Sequence, residues 1–316
     1  MQRPSDEYQS RFTAWDEKAW VRSKPHHVAP FEPDLWFFSS ALSPLLLDPR
    51  VASAPEEIRR SLMVLTLYDW LEFTEWLEVG PVNSVCDRLR QPHFLPWLSP
   101  QMKADALKVY TDEAGHAEMS HALARAVETY TGLESARLRP SFLDMFDSLM
   151  TDEEPTLAAL VELFLAVTSE TLITGTLNKL PSDPTVQQAV RDIAKDHATD
   201  EGRHHAYFRS VCLAVWPRLP TEVKRRVGVL LPEMILAFLA PNPTNLTRLL
   251  SRVNHFDNAE AEIANAVCAH PAVAQTIRTS CAPTLRTFRE AGVFGHPLVV
   301  DAFRSRDFNV DVGSSG

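Results

Sequence analysis

The sequence has little of what a β-rich, disulfide-rich or nucleic-acid-binding protein needs. Only 10 of its 316 residues are glycine, whereas 23 are proline. This balance favours helices that end at proline over a fold turned by glycine. The four cysteines form no CxxC pair, which argues against a zinc ribbon or a redox dithiol. A net charge of −10 leaves little basic surface, so we expect no nucleic-acid partner.

Long apolar segments are also scarce. The N-terminal residues are polar and lack the apolar core of a secretory signal. The most apolar run, from Leu230 to Leu239, is too short to span a bilayer and contains Pro232 and Glu233. We therefore expect a cytoplasmic protein that has no membrane partner.

Apolar residues recur at spacings of three, four and seven, which predicts an all-α fold. Four long helices are expected, from Pro55 to about Val79, from Ser99-Pro100 to about Tyr130, from near Asp152 to before Pro181, and from near Asp183 to about Trp216. Residues 131–153 are predicted to be a long connection with one short helix. Further helical segments are expected at about 221–239, 243–253, 256–269 and 271–291.

These elements suggest one domain. Residues 1–35 are predicted to form an irregular N-terminal arm, and residues 306–316 a frayed C-terminal tail. Residues 36–305 between them are expected to form a single helical domain, with a metal-binding bundle at about 55–217.

Two predicted helices contain the same five-residue pattern, D-E-x-x-H. On an α-helix, positions three apart lie about 60° apart around the axis, so the Glu and His of one motif can bind one metal ion. One such pattern is common by chance, but two on separate core helices are a much stronger signal. The motifs are Asp112-Glu113-Ala114-Gly115-His116 and Asp200-Glu201-Gly202-Arg203-His204.

A dinuclear site in a bundle also needs one carboxylate from each of two other helices. The third predicted helix offers Glu170, which lies on a stripe of apolar residues. An unpaired carboxylate there would be costly to bury, whereas a metal ion would satisfy it. The alternative is an ion pair between Glu170 and an arginine.

The first predicted helix offers two candidates. Glu75 and Glu78 both fall on its apolar stripe, so helical phase alone does not separate them.

His197 adds a third imidazole on the fourth helix. It lies four residues before Glu201 and seven before His204, within an arc of about 60°. A lone histidine on an apolar face is usually a core residue, but this one is a single turn from two candidate ligands. The predicted ligands are then Glu78, Glu113, His116, Glu170, His197, Glu201 and His204, with Glu75 as the alternative to Glu78.

Oxygen and nitrogen ligands without thiolate favour iron or manganese over zinc or copper(I). The first residue of each motif, Asp112 and Asp200, is placed to accept the outer N–H of a ligand histidine, which would fix its tautomer. The alternative for each is a solvated surface charge.

The order Glu, D-E-x-x-H, Glu, D-E-x-x-H resembles that of the ferritin-like di-iron carboxylate superfamily. The added histidine in H-x-x-x-E-x-x-H is similar to that of the arylamine N-oxygenases, typified by the para-aminobenzoate N-oxygenase of aureothin biosynthesis. The resemblance covers roughly residues 60 to 210, and its spacing favours Glu78 over Glu75.

This resemblance implies a ferritin-like bundle with additional C-terminal helices. It implies two iron ions that cycle between Fe2+ and Fe3+ with an oxo or peroxo bridge, and dioxygen as co-substrate. The substrate would be a small-molecule amine, free or carrier-bound, that is N-hydroxylated towards a nitroso or nitro product in a biosynthetic pathway. An external electron donor and a homodimer are also implied.

Two other functions use similar ligands. A di-iron hydroxylase or desaturase would act on carbon. A ferroxidase or iron-storage protein would only oxidise iron, although the long connection after Glu113 and the roughly 110 residues after His204 exceed a minimal ferritin bundle.

Overall fold

The computed structural model describes residues 8–24, 28–135, 137–150, 154–172 and 177–310. Within these ranges there is no strand, and one isolated bridge joins Trp36 to Val186. The predicted all-α fold is confirmed. In chain order, the helices are α1 (Trp15–Lys18), α2 (Trp20–Ser23), α3 (Pro49–Ala52), α4 (Glu56–Leu77), α5 (Asn83–Leu89), α6 (Pro100–Thr131), α7 (Ser141–Met150), α8 (Pro155–Leu172), α9 (Gln188–Val215), α10 (Thr221–Gly228), α11 (Leu231–Leu239), α12 (Pro243–Ser251), α13 (Glu260–Cys268), α14 (Pro271–Ser280), α15 (Ala282–Ala291) and α16 (Pro297–Arg304).

Four long helices form the centre of the bundle. Helix α4 packs on α6, α6 on α9 and α9 on α8, and the segment after α4 returns to α8. Helix α6 begins as predicted, because the Ser99 hydroxyl accepts a hydrogen bond from the Met102 N–H and Pro100 occupies the first helical position. It ends at Gly132, whose φ of 70° only glycine adopts readily.

Helix α4 differs from its predicted end at Val79. It ends at Leu77 and passes into a π-helical segment, Glu78–Val82, that leads directly into α5. Gly80 leaves the helical conformation, and Pro81 inside the segment has no N–H to donate. Such π segments frequently occur at functional sites, and this one begins at a candidate ligand.

The N-terminal residues are more ordered than the predicted irregular arm. Residues 8–24 contain α1 and α2, and Phe12, Trp15 and Ala19 are buried against the bundle. Helical periodicity cannot be detected in two helices of one turn each, so they could not be predicted from the residue pattern.

The C-terminal third adds α10 to α16 around the central helices. The predicted segments 221–239 and 271–291 each divide into two helices, and α16 was not predicted as a separate element. The predicted frayed tail is wrong for residues 306–310, because Phe308 and Val310 are buried. Its remaining residues, 311–316, lie outside the described ranges.

Among the residues that the structure describes, two stretches are apolar enough to cross a membrane by length and composition alone, 155–172 and 221–251. The first is α8, which is 83% buried and is a core helix of the bundle. The second is divided among α10, α11 and α12. Neither stretch is more than weak evidence for a membrane span.

Candidate metal centre

All seven predicted ligand side chains meet inside the bundle, and each is at most 1% exposed. The ligand atoms of six of them form two overlapping groups, and within each group all atoms lie within 4.8 Å of one another. Glu170 is in neither group, and its Oε2 lies 3.9 Å from His204 Nδ1. His116 and Glu201 belong to both groups. One group is completed by Glu78 and His197, the other by Glu113 and His204.

The shortest contacts join imidazole nitrogens to carboxylate oxygens. His204 Nδ1 lies 3.0 Å from Glu113 Oε1 and 3.1 Å from Glu201 Oε1. His197 approaches through its other nitrogen, with Nε2 2.9 Å from Glu78 Oε1 and 3.2 Å from Glu201 Oε1. The imidazole nitrogens and the carboxylates therefore converge on a common space.

The structure separates the two candidates on the first helix. Glu78 is 1% exposed and lies in the cluster. Glu75 has a side chain 42% exposed, and its carboxylate lies 3.4 Å from Nδ1 of His121, which is also exposed. The π-helical segment begins at Glu78 and contacts α8, so it borders the same interior that holds Glu170.

Glu170 is buried without a cationic partner. Its Oε2 lies 3.9 Å from Nδ1 of His204, and no lysine or arginine pairs with it among the described residues. Glu162, two turns earlier on α8, has such a partner, because Arg88 lies 2.9 Å from its carboxylate. The same helix thus carries one carboxylate with an arginine and one that faces only the cluster.

The two aspartates of the motifs hold the histidines of the opposite motif. His116 Nε2 lies 3.2 Å from Asp200 Oδ2, and His204 Nε2 lies 3.1 Å from Asp112 Oδ2. Each helix therefore supplies a Glu and a His to the cluster, and an Asp that orients the imidazole of its neighbour. His197 differs, because its outer nitrogen, Nδ1, is buried with no hydrogen-bond partner.

The N-terminal arm holds both aspartates from outside. Trp15 donates its indole N–H to Asp112, at 2.8 and 3.0 Å from the two oxygens. Trp20 donates its backbone N–H to Asp200 at 3.2 Å. Sequence reasoning missed these contacts, because no periodicity relates an arm residue to a helix 97 or 180 positions away.

Two residues that precede the motif histidines have different roles. Arg203 forms an ion pair with Asp200. Gly115, at the same position of the first motif, lies under Val21 of the arm, and a Cβ there would be 2.1 Å from Val21 Cγ1. The glycine is therefore required for the arm to lie close to α6.

Burial makes the free cluster electrostatically unfavourable. Burial raises the pKa of Glu170 well above its ordinary value, and Glu113 and Glu201 raise it further. Burial likewise raises the pKa of Glu78 to about 7, although His197 opposes this shift. Four carboxylates so close together repel one another when ionised, and bound cations would offset this repulsion.

The donor set fits metal ions. Three buried carboxylate oxygens, the Oε2 atoms of Glu78, Glu170 and Glu201, have no hydrogen-bond partner. Buried polar atoms are normally satisfied, so such atoms require a ligand. Four carboxylates and three imidazoles would supply oxygen and nitrogen donors, and the four negative charges would balance two divalent ions.

A cavity of about 450 Å³ reaches the cluster at His197. Its wall includes the α4 side chains Asp69, Trp70, Phe73 and Thr74. Much of the remaining lining comes from the segment Phe38–Leu47 and from apolar residues of α11 and α12. Ligand sites of small molecules are commonly concave, mostly apolar and of this size.

The comparison with known families agrees with this arrangement. The family model described as "P-aminobenzoate N-oxygenase AurF" matches residues 8–292. The match includes all seven clustered side chains, both aspartates and the described part of the arm. No individually curated protein matches the chain. The chain belongs to the AurF family of para-aminobenzoate N-oxygenases.

Proposed function

We propose that this protein is a non-haem di-iron oxygenase that N-hydroxylates an amine, towards a nitroso or nitro product, in a biosynthetic pathway. The observation that carries the proposal is the buried cluster, in which carboxylate oxygens without partners face imidazole nitrogens. The family match supports an N-oxygenase rather than another class of oxygenase.

Seven side chains would hold the two iron ions: Glu78, Glu113, His116, Glu170, His197, Glu201 and His204. When bound, the iron supplies the redox chemistry that activates dioxygen. Glu201 and His116 belong to both groups of ligand atoms, so each lies within reach of ligand atoms from both halves of the cluster. Manganese would suit the same donors, and metal analysis separates the two elements.

The residues around the cluster would orient the ligands and exclude water. Asp112 and Asp200 would keep Nε2 of His204 and His116 protonated, so that each Nδ1 is free to bind metal. Phe12 stacks on the His204 ring, with centroids 6.3 Å apart, and covers it on the arm side. A dry, preorganised environment strengthens electrostatic interactions with the reacting groups.

The first oxidation has a simple balance. An amine R–NH2, dioxygen, two electrons and two protons give R–NHOH and water. The electrons must come from an external donor, which we propose as a separate reductase or a small reduced carrier. A cytoplasmic location and a homodimer remain predictions from the sequence and the resemblance.

The main alternative is a di-iron enzyme that hydroxylates or desaturates carbon. The ligands alone suit both reactions, and the family match is the observation that favours nitrogen. A ferroxidase or iron-storage function would leave the cavity next to His197 without a use.

The deciding experiment combines metal analysis with product analysis. Protein from iron-supplemented cells should contain about two iron ions per chain. With a chemical reductant, dioxygen and an aryl amine, mass spectrometry should detect the hydroxylamine or its nitroso or nitro successors. Zinc in place of iron, or products hydroxylated only on carbon, would refute the proposal.

A further inference from the structure

The cavity next to the cluster lacks the basic side chain that a carboxylate substrate, such as the one in the family's description, would need. Free para-aminobenzoate is an anion at neutral pH, and a buried anion needs a cation or several donors. Among the described residues that line the cavity, none is lysine or arginine. The only carboxylate among them belongs to Asp69 of α4.

Asp69 lies in the cavity wall without a partner. No hydrogen bond or ion pair joins it to any other described residue. Burial raises its pKa to about 6, and repulsion from Glu72 adds to this effect. A group in this state is stabilised by a cation or by a hydrogen-bond donor that enters the cavity.

The position of Asp69 indicates how long a molecule bound in the cavity would be. It precedes Glu78 by nine residues along the chain, which corresponds to about 13 Å along a helix axis. Asp69 and His197 both line the cavity, and His197 Nε2 lies 2.9 Å from Glu78 Oε1. A molecule that contacts both Asp69 and His197 must therefore be extended.

The volume agrees with this length. A cavity of about 150 Å³ holds a single benzene ring. The cavity here, at about 450 Å³, is roughly three times larger. Asn242, Asn245 and Thr276 are among several neutral polar residues in the lining, and they supply no compensating positive charge.

We propose that the substrate is an extended, largely apolar amine that has no free carboxylate and carries a cationic group that pairs with Asp69. The amine to be oxidised would lie at the His197 end, and the cationic group at the Asp69 end. This inference rests on the proposed function, because it assigns the cavity to the substrate. It departs from the substrate in the family's description.

Three probes that share one aryl amine test the charge preference. They are para-aminobenzoate, its neutral ethyl ester, and its cationic 2-(diethylamino)ethyl ester. Binding is measured by calorimetry on the iron-loaded protein without dioxygen, so that no turnover occurs. We expect the cationic ester to bind about tenfold or more tightly than the ethyl ester, as for a hydrogen bond to a charged group. The free acid should bind most weakly.

Asp69→Asn keeps the shape of the side chain and removes its charge. It should abolish the advantage of the cationic ester and leave the affinity of the ethyl ester within about twofold. Glu75→Gln is the matched control, because Glu75 is on the same helix but is exposed and outside the cavity wall. That variant should bind all three probes as the parent protein does.

Two results would overturn the inference: free para-aminobenzoate binding as tightly as its ethyl ester, or Asp69→Asn leaving the cationic preference unchanged. Exposure of the same mixtures to dioxygen and reductant tests the proposed function separately. The expected binding order without any N-oxidised product would count against the N-oxygenase and leave the charge preference of the cavity in place.

Discussion

The two D-E-x-x-H motifs have the same pattern, yet their surroundings differ. Both place a glutamate and a histidine in the cluster, and each aspartate holds the histidine of the other motif. The second motif has an additional histidine one turn earlier, His197, and its glutamate belongs to both groups of ligand atoms. The first motif has neither feature.

The difference extends to the side that faces the arm. Asp112 is held by the indole of Trp15, whereas Asp200 is held by a backbone N–H and by Arg203. The two halves of the cluster offer the same kinds of ligand atom to a metal ion, but the residues that hydrogen-bond to their aspartates differ. A repeated motif therefore does not predict equal consequences when equivalent residues are replaced.

The largest expected effect separates the two glutamates. Glu201→Ala should reduce bound metal from about two ions per chain to nearly none, because Glu201 belongs to both groups. Glu113→Ala should retain about one ion, since Glu113 belongs to one group. Metal analysis of the purified variants gives the comparison, and equal losses would show that the two motifs contribute equally.

A stability measurement controls for misfolding in these variants. In metal-free protein the buried histidines hold the pKa of Glu201 well below its ordinary value and lower the pKa of Glu113, although burial opposes both shifts. Removal of either carboxylate should therefore lower the free energy of unfolding, and Glu201→Ala should lower it more. Denaturant titration of the metal-free forms should still show a cooperative transition for both variants, and its absence would mean that the loss of metal reports misfolding.

The two aspartates come next. Replacement of a residue that orients a metal-binding histidine typically costs ten- to a hundredfold in metal affinity. Asp112→Asn and Asp200→Asn should both fall within about this range. Asp200→Asn should cost more, because it also removes the close ion pair of Arg203, whose side chain is only 15% exposed and whose remaining acidic neighbour, Asp112, lies 4.0 Å away. Competition with a chelator measures both affinities, and a larger loss for Asp112→Asn would contradict this ranking.

Replacement of the arm tryptophans should have a smaller effect. Trp15→Phe removes the indole donor to Asp112 and should weaken metal binding by up to about tenfold. Trp20→Phe retains the backbone N–H that reaches Asp200, so its metal affinity should stay close to that of the parent protein. The same chelator competition applies, and equal losses would indicate that the arm acts only by covering the site.

Replacement of the glycine in each motif should have the smallest effect, and the effect is on the free energy of unfolding. Gly115→Ala puts a methyl group against Val21 and should lower the free energy of unfolding by about 1–3 kcal/mol. Gly202→Ala meets nothing within 4 Å and should raise it by up to about 1 kcal/mol, through helix propensity. Chemical denaturation measures both changes, and destabilisation by Gly202→Ala would contradict the comparison.

Much of the cluster could be predicted from the sequence, because a polar ligand residue on a core helix interrupts the pattern of apolar residues. Glu170 interrupts an apolar stripe, and each motif carries its own spacing. The structure places these side chains together, and their binding of metal remains a prediction. Helical phase could not choose between Glu75 and Glu78, because both fall on the apolar stripe, and the sequence did not reveal that the regular helix ends just before Glu78.

Other features depend on contacts between distant parts of the chain. The crossed pairs of aspartate and histidine follow from how α6 and α9 pack, which no spacing within one helix reveals. The arm was predicted to be irregular because two one-turn helices have no periodicity. The tail was predicted to fray because Phe308 and Val310 are isolated apolar residues among polar ones, yet both are buried.

The position of the arm has a consequence for the order of assembly. Residues 8–24 are synthesised before α9, yet Trp20 donates its backbone N–H to Asp200, 180 positions later in the chain. Contacts of such separation form late in folding, because the intervening chain must first be in place. The arm is therefore expected to be among the last parts to dock. Until it docks, the arm side of the cluster would stay open, which would give metal ions a route into the proposed centre before the arm covers it.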